Sequence, residues 1–176
     1  MHPKVHRREV LRIGRVFDIT VENVTFSNGV NIDMEIIRHP GASAILAFST
    51  NDEVLMLKQY RHAAGGAIWE IPAGTFDGRE APLACARREL REETGYEAET
   101  WEPLGAVTPV PGYSDERIHL FLARDLIPAA QDLDPDEIIE VQPLPLQQVV
   151  SMILDGEIED GKTIAAVFRV LHQNGK

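Results

Sequence analysis

The chain has 176 residues, 44% of them hydrophobic and 26% charged, enough for one compact domain with a substantial core. Its formal net charge of -11 argues against a nucleic-acid backbone as the main partner, because phosphate binding wants a basic surface. The single cysteine, Cys85, excludes an intrachain disulfide and fits a reducing compartment. The opening MHPKVHRREV lacks an apolar run of signal-peptide length, and no stretch nears the roughly 18 apolar residues of a membrane span, so a cytoplasmic protein with no membrane partner is the expectation.

In chain order, two strands come first. Arg15 to Phe26 and Val30 to Arg38 flank Ser27-Asn28-Gly29, and Asn-Gly is a strong hairpin signal. Ser43 to Phe48 and Glu53 to Tyr60 are rich in aliphatic residues and separated by a turn at Asn51-Asp52, which predicts a second hairpin. Pro82 to Thr94 reads as a helix, with proline suited to its first turn and Gly95 to the position just past its end. Leu83, Ala86 and Leu90 fall on one side of it at helical spacing. Strands are expected near Leu104 to Thr108, Ile118 to Ala123 and Ile138 to Val141, and helices near Leu146 to Leu154 and Thr163 to Gln173. Helices between strands, with several hairpins, indicate an α/β or α+β sandwich on a mixed sheet.

The chemistry concentrates on the helix at Pro82 to Thr94. Glu89, Glu92 and Glu93 are spaced i, i+3, i+4 and share one face, where like charges repel and the C-terminal end of the macrodipole disfavours them further. Such a concentration of oxygen ligands suits Mg²⁺ or Mn²⁺. Taken alone, three glutamates also fit a solvated acidic face.

The surrounding string decides between the two. Gly74, Glu80, Arg88, Glu89, Leu90, Glu92, Glu93 and Gly95 stand at the spacing of the Nudix box, which the segment resembles. Eight such matches arise by chance on the order of once in a billion windows. Tyr96 departs from the aliphatic residue usual after the last glycine. The resemblance implies a Nudix-type α/β/α sandwich with a mixed sheet and an N-terminal β-hairpin extension. It implies metal at Glu89 and Glu93, with Glu92 as a bridging or supporting carboxylate, the Ala73 carbonyl completing the site, Glu80 tying the loop to the helix or to a metal-bound water, and Arg88 orienting the carboxylates.

The flanks are similar to the ADP-ribose pyrophosphatase branch. Gln59-Tyr60-Arg61 precedes Trp69-Glu70-Ile71-Pro72-Ala73-Gly74, which makes Arg61 a phosphate-binding candidate and Glu70 a candidate for ribose or the metal shell. Trp69 reads first as a core aromatic. Pro111, sixteen residues past Gly95, resembles the mark of that branch, and Glu116 on the same loop is a further candidate. The stretch Asp136 to Val141 resembles the loop that supplies a mobile catalytic glutamate: Glu137 is favoured, with Asp136 and Glu140 as rivals.

In that branch the N-terminal strands exchange contacts across a homodimer and help hold the base. This singles out Phe17 and Glu35, and divides the chain into an extension over 1–40 and a hydrolase domain over 41–176. The implied reaction is Mg²⁺-dependent hydrolysis of a nucleoside diphosphate sugar, ADP-ribose first, to a nucleoside monophosphate and a sugar phosphate. GDP-mannose or another nucleotide sugar is the alternative substrate. A non-catalytic ligand-sensing module is the alternative of another class, disfavoured by intact Glu80, Glu89, Glu92 and Glu93.

Overall fold

A computed structural model describes residues 2–174. By internal contacts the chain forms two compact units, Met1–Gly41 with Thr108–Arg117, and Ala42–Val107 with Ile118–Lys176. Among the described residues no helix is long and apolar enough to cross a membrane.

The first unit is a three-stranded antiparallel sheet in the order β1 (Lys4–Ile13), β2 (Asp18–Thr25), β3 (Asn31–Arg38). The expected hairpin is β2–β3. It closes through Gly29 N–H to Phe26 O at 2.9 Å, with Gly29 at φ 85°, a backbone conformation that glycine adopts without strain. The structure adds β1, which the sequence reading left unassigned. All ten of its residues are exposed, so KVHRREVLRI carries no clean inward-facing stripe. The strand expected to begin at Arg15 begins at Asp18, because Arg15 and Val16 form a bend. The segment 108–117 lies along β3: Ile37 N donates to Tyr113 O at 2.8 Å and Asp115 N to Ile37 O at 3.2 Å. At its centre Glu22, 3% exposed, accepts from Arg8 Nε at 2.7 Å and from Arg38, while Arg38 Nη1 donates to Asp115 Oδ2 at 2.8 Å.

The second unit holds two sheets and three helices. Strands β7 (Ala73–Thr75), β4 (Ala42–Ala47), β9 (Ile118–Pro128) and β8 (Tyr96–Val107) form one sheet, in which β4 and β9 run parallel and the other pairs antiparallel. Strands β10 (Ile139–Pro145), β5 (Glu53–Arg61) and β6 (Gly66–Glu70) form the other. The second hairpin expected from the sequence is therefore corrected. The turn exists, with Ser49 N donating to Glu53 O at 2.9 Å, but only Phe48 and Val54 bridge across it before the strands part into different sheets. Both strands are buried on both faces, and such strands need partners and cover that a lone hairpin does not offer.

Period-two alternation along β4 divides the core. Ala42, Ala44 and Leu46 pack with Val149 and Met152 of helix α2 (Leu146–Leu154) and Ala166, Val167 and Val170 of helix α3 (Gly161–Asn174). Ile45 and Ala47 pack with Ala86 and Leu90 of helix α1 (Pro82–Thr94). Helices thus cover opposite faces of a mixed sheet, giving the α/β/α sandwich. Helix α1 has the bounds the sequence predicts: Pro82 opens it, and Gly95 closes it at φ 72° with its N–H on Arg91 O at 2.9 Å.

Candidate active site

Helix α1 packs Cys85, Ala86 and Leu90 inward, and its 3.6-residue period brings Glu89 and Glu93 to a partly inward face as well. Glu89 is 8% exposed and Glu93 2%. Glu93 Oε2 accepts from Ala73 N–H at 2.8 Å, which ties the helix to the start of β7. Gly74 is required next to it: a Cβ there would lie 1.9 Å from the Glu89 carboxylate, so only glycine lets that side chain rest against the backbone.

Arg88 organises the cluster. Its Nη1 donates to Glu89 Oε1 at 2.6 Å and Glu92 Oε2 at 3.0 Å. Its Nε and Nη2 hold Glu80 at 3.2 and 2.9 Å, and Nη2 also reaches Thr75 O at 3.0 Å. Glu80 in turn accepts from Asp77 N–H at 3.2 Å, so the loop 76–81 is fastened to the helix. The Arg88 bond holds the Glu80 carboxyl below its ordinary range and raises Arg88.

The Glu89 and Glu93 carboxyls go the other way. Burial pushes Glu89 up to about 7; Arg88 opposes this, and the charges of Glu92 and Glu137 add to it. Burial raises Glu93 well above the ordinary carboxyl value, and Glu89, Glu137 and Glu70 raise it further against the Ala73 N–H. Cys85, buried beside Gly74 O at 3.4 Å, is raised to about 12 by burial and is an inert thiol.

Glu137 lies in the loop ahead of β10, where its Oε2 accepts from Asp134 N–H at 3.0 Å. The pairing of Ile139 with Gln59, extended by Tyr60 N to Ile138 O at 3.1 Å, brings this loop alongside the end of β5. Of the two rivals, Glu140 alternates to the sheet face opposite Val141, which packs toward α1, and it accepts from Gln142 Nε2 at 2.5 Å. Asp136 is exposed in the loop.

Arg61, at the end of β5, donates from Nε to Glu70 Oε1 at 2.8 Å. Burial lowers its pKa, but Glu70 and the charges of Glu93 and Asp160 outweigh this and raise it. Trp69 packs against the core with Lys58 5.4 Å from its ring centroid. Four further candidates belong to the first unit. Phe17 is 42% exposed between β1 and β2, Glu35 is exposed on β3 opposite Val21, Pro111 is exposed in the loop 108–117, and Glu116 lies 3.9 Å from His39 Nε2.

Two groups here went unmarked in the sequence. Lys162, in the first turn of α3, donates from Nζ to Glu70 Oε2 at 2.5 Å and is 3.1 Å from Asp160 Oδ1. Its position is the available signal, since a cation in a first turn opposes the helix dipole. Gln59 is 3% exposed, with a buried Oε1 that has no hydrogen-bond partner among the described residues. No signal marks it, because burial of a strand glutamine depends on the sheets that enclose it.

The chain is 37% identical over 169 residues to an ADP-ribose pyrophosphatase of Bacillus subtilis (strain 168), covering 95% of this chain and 91% of that protein. It is 40% identical over 166 residues to a methanol dehydrogenase activator of Bacillus methanolicus, covering 93% and 90%. A crystal structure described as an ADP compounds hydrolase superposes with a TM-score of 0.86 over 99% of this chain and 95% of that one at 22% identity, which shows a shared fold. The NUDIX domain model matches residues 37–167, a span that contains the Gly74 to Gly95 box, and the chain belongs to the Nudix family.

Proposed function

We propose that this Nudix enzyme hydrolyses the pyrophosphate of ADP-ribose to AMP and ribose 5-phosphate, with Mg²⁺, or Mn²⁺ in its place, held at Glu89 and Glu93. The observation that carries the reading is the pair itself: two buried carboxyls on one helix face, each pushed to a raised pKa by burial and then by carboxylate neighbours, Glu137 among them for both. A divalent cation relieves that repulsion. Among the described residues no three carboxylate, imidazole or thiol groups form a ready cation cage, since Glu89 is turned onto Arg88 and Glu93 onto Ala73 N–H. Mg²⁺ commonly takes one or two protein carboxylates, with water and substrate phosphates for the rest, so Glu89 and Glu93 would be enough to hold it.

A divalent cation held by Glu89 and Glu93 would supply Lewis-acid chemistry, stabilising charge on the phosphates and acidifying water. The chain supplies the rest. Arg88 keeps the glutamates in register and restrains Glu92 and Glu80. Arg61 presents a guanidinium to the diphosphate, and Glu70 fixes its direction. Glu137, on a loop whose own N–H now holds its carboxylate, swings to take the proton of the attacking water. Phe17, Glu35, Pro111 and Glu116 are assigned to substrate recognition and the Ala73 carbonyl to the metal shell, both from the family resemblance. The name of the B. subtilis relative supports ADP-ribose as the substrate.

The test is kcat/KM for ADP-ribose and for GDP-mannose in Mg²⁺ and in Mn²⁺, with products identified by chromatography. ADP-ribose is expected to win and to yield AMP; a tenfold preference for GDP-mannose reverses the substrate assignment and leaves the chemistry standing.

A homodimer in the cytoplasm, with 1–40 as the extension that joins the copies and 41–176 as the hydrolase domain, is part of the same reading. Its support is the edge strand β1, on which Val5, Val10, Leu11 and Ile13 are 48%, 51%, 55% and 79% exposed. Light scattering on the active enzyme is expected to give twice the chain mass, and a fully active monomer excludes the dimer.

A further inference from the structure

The turn ahead of α3 grips the end of β6 in two ways. Asp160 Oδ2 caps the helix, accepting from Thr163 N at 3.0 Å and Thr163 Oγ1 at 2.5 Å, and Thr163 Oγ1 accepts from Ile71 N at 2.9 Å. Lys162 reaches the preceding residue, with Nζ 2.5 Å from Glu70 Oε2. The Lys162 side chain is only 11% exposed and that of Glu70 2%. Buried lysine is rare, and a cation in a first turn opposes the helix dipole; both placements are offset here by two carboxylates, Glu70 and, 3.1 Å from Nζ, Asp160, and of these only Glu70 also binds Arg61.

The contact determines how Arg61 can bind Glu70. The two carboxylate oxygens are divided between two cations: Lys162 takes Oε2 and Arg61 takes Oε1, through Nε alone. An arginine bound through Nε keeps its terminal nitrogens for another anion. With Oε2 left bare and buried, the guanidinium would be drawn into a two-pronged bond with Glu70, the strongest geometry open to an arginine and a carboxylate.

We propose that Lys162 is a positioning residue for diphosphate binding, which occupies Glu70 Oε2 and thereby keeps the Arg61 terminal nitrogens turned to the substrate. This rests on the reading of Arg61 as a pyrophosphate contact. Lys162 does not touch the reacting atoms, so it acts on substrate affinity and leaves the chemical step alone.

The experiment is steady-state kinetics of ADP-ribose hydrolysis in Lys162→Met, Lys162→Arg, Arg61→Ala and the double variant Lys162→Met with Glu70→Gln, alongside thermal unfolding. Lys162→Gln, which keeps an N–H donor, takes the place of the methionine variant if that one does not fold. Lys162→Met is expected to raise KM about tenfold, the factor that one lost charged contact commonly costs, with kcat within about threefold. Lys162→Arg restores KM, because its N–H groups can again occupy Oε2. The double variant recovers much of the lost affinity, because an uncharged amide in place of the Glu70 carboxylate no longer pulls Arg61 away. A purely structural role predicts that KM and kcat worsen together with the unfolding midpoint in Lys162→Met and recover together with it in the double variant, and that outcome overturns the proposal. An unmoved KM in Lys162→Met beside a raised KM in Arg61→Ala overturns the Lys162 assignment alone. An unmoved KM in Arg61→Ala removes the pyrophosphate role of Arg61 and this proposal with it.

Discussion

Two buried glutamates in this protein are treated in opposite ways. Glu22, in the sheet of the first unit, is 3% exposed and meets the guanidinium groups of Arg8 and Arg38. Burial raises its pKa, but the bonds from Arg38 and Arg8 outweigh that and hold it below the ordinary carboxyl value. Glu93, on α1, is 2% exposed: burial pushes its pKa up, and the charges of Glu89, Glu137 and Glu70 add to this against the one N–H of Ala73. The first is a charge neutralised by its own fold. The second is a carboxyl whose ionised form the fold disfavours, which a bound cation would reverse and which a purely structural element avoids.

The largest expected effect lies beside the uncompensated cluster. Glu137→Gln should lower kcat by about 10² to 10⁴-fold, the usual worth of general-base help, with substrate Kd within a few fold. A nearly active variant, with Glu116→Gln dead, would move the base to the loop 108–117. The next tests the contrast directly. Glu93→Gln should lower kcat by roughly 10²-fold or more while raising the unfolding midpoint of the metal-free protein near neutral pH, because a carboxyl with a raised folded pKa opposes folding there and the amide does not. Near wild-type turnover in saturating Mg²⁺ would show that Glu93 is not a ligand.

Glu22→Gln should do the reverse. It should cost about 1–3 kcal/mol in denaturant unfolding, the worth of buried bonds between charged groups, and change turnover little. Smallest is the pH effect. A carboxyl whose folded pKa is depressed adds stability that is complete above its unfolded pKa and is lost as pH falls through the folded one. Acid titration below about pH 4.5 should therefore erode wild-type stability more steeply than that of Glu22→Gln; parallel curves would show that the arginines do not hold Glu22 down.

The same contrast marks how far the sequence could be read. The box was legible because its residues are close in the chain: i, i+3, i+4 spacing places Glu89, Glu92 and Glu93 on one face whatever surrounds the helix, and Pro82 and Gly95 mark its ends. The hairpin at Asn28-Gly29 was legible for the same reason, since turn chemistry is local. Strand β1 was not, because a fully exposed edge strand needs no inward stripe. Nor was the separation of β4 from β5: alternation tells which faces are buried but not which sheet covers them.

By itself, then, the sequence determined the family, the carboxylate face of α1 and the identity of the turns, all of which follow from short-range spacing. Only the tertiary structure decided what neutralises each charge. Glu22 is matched by arginines on β1 and β3, and Glu70 by Lys162, 92 residues along the chain. Glu93 is left among like charges, because α1, the end of β6 and the loop ahead of β10 converge around it. Electrostatic energy depends on distance and burial in space, and neither is carried by the order of residues along a chain.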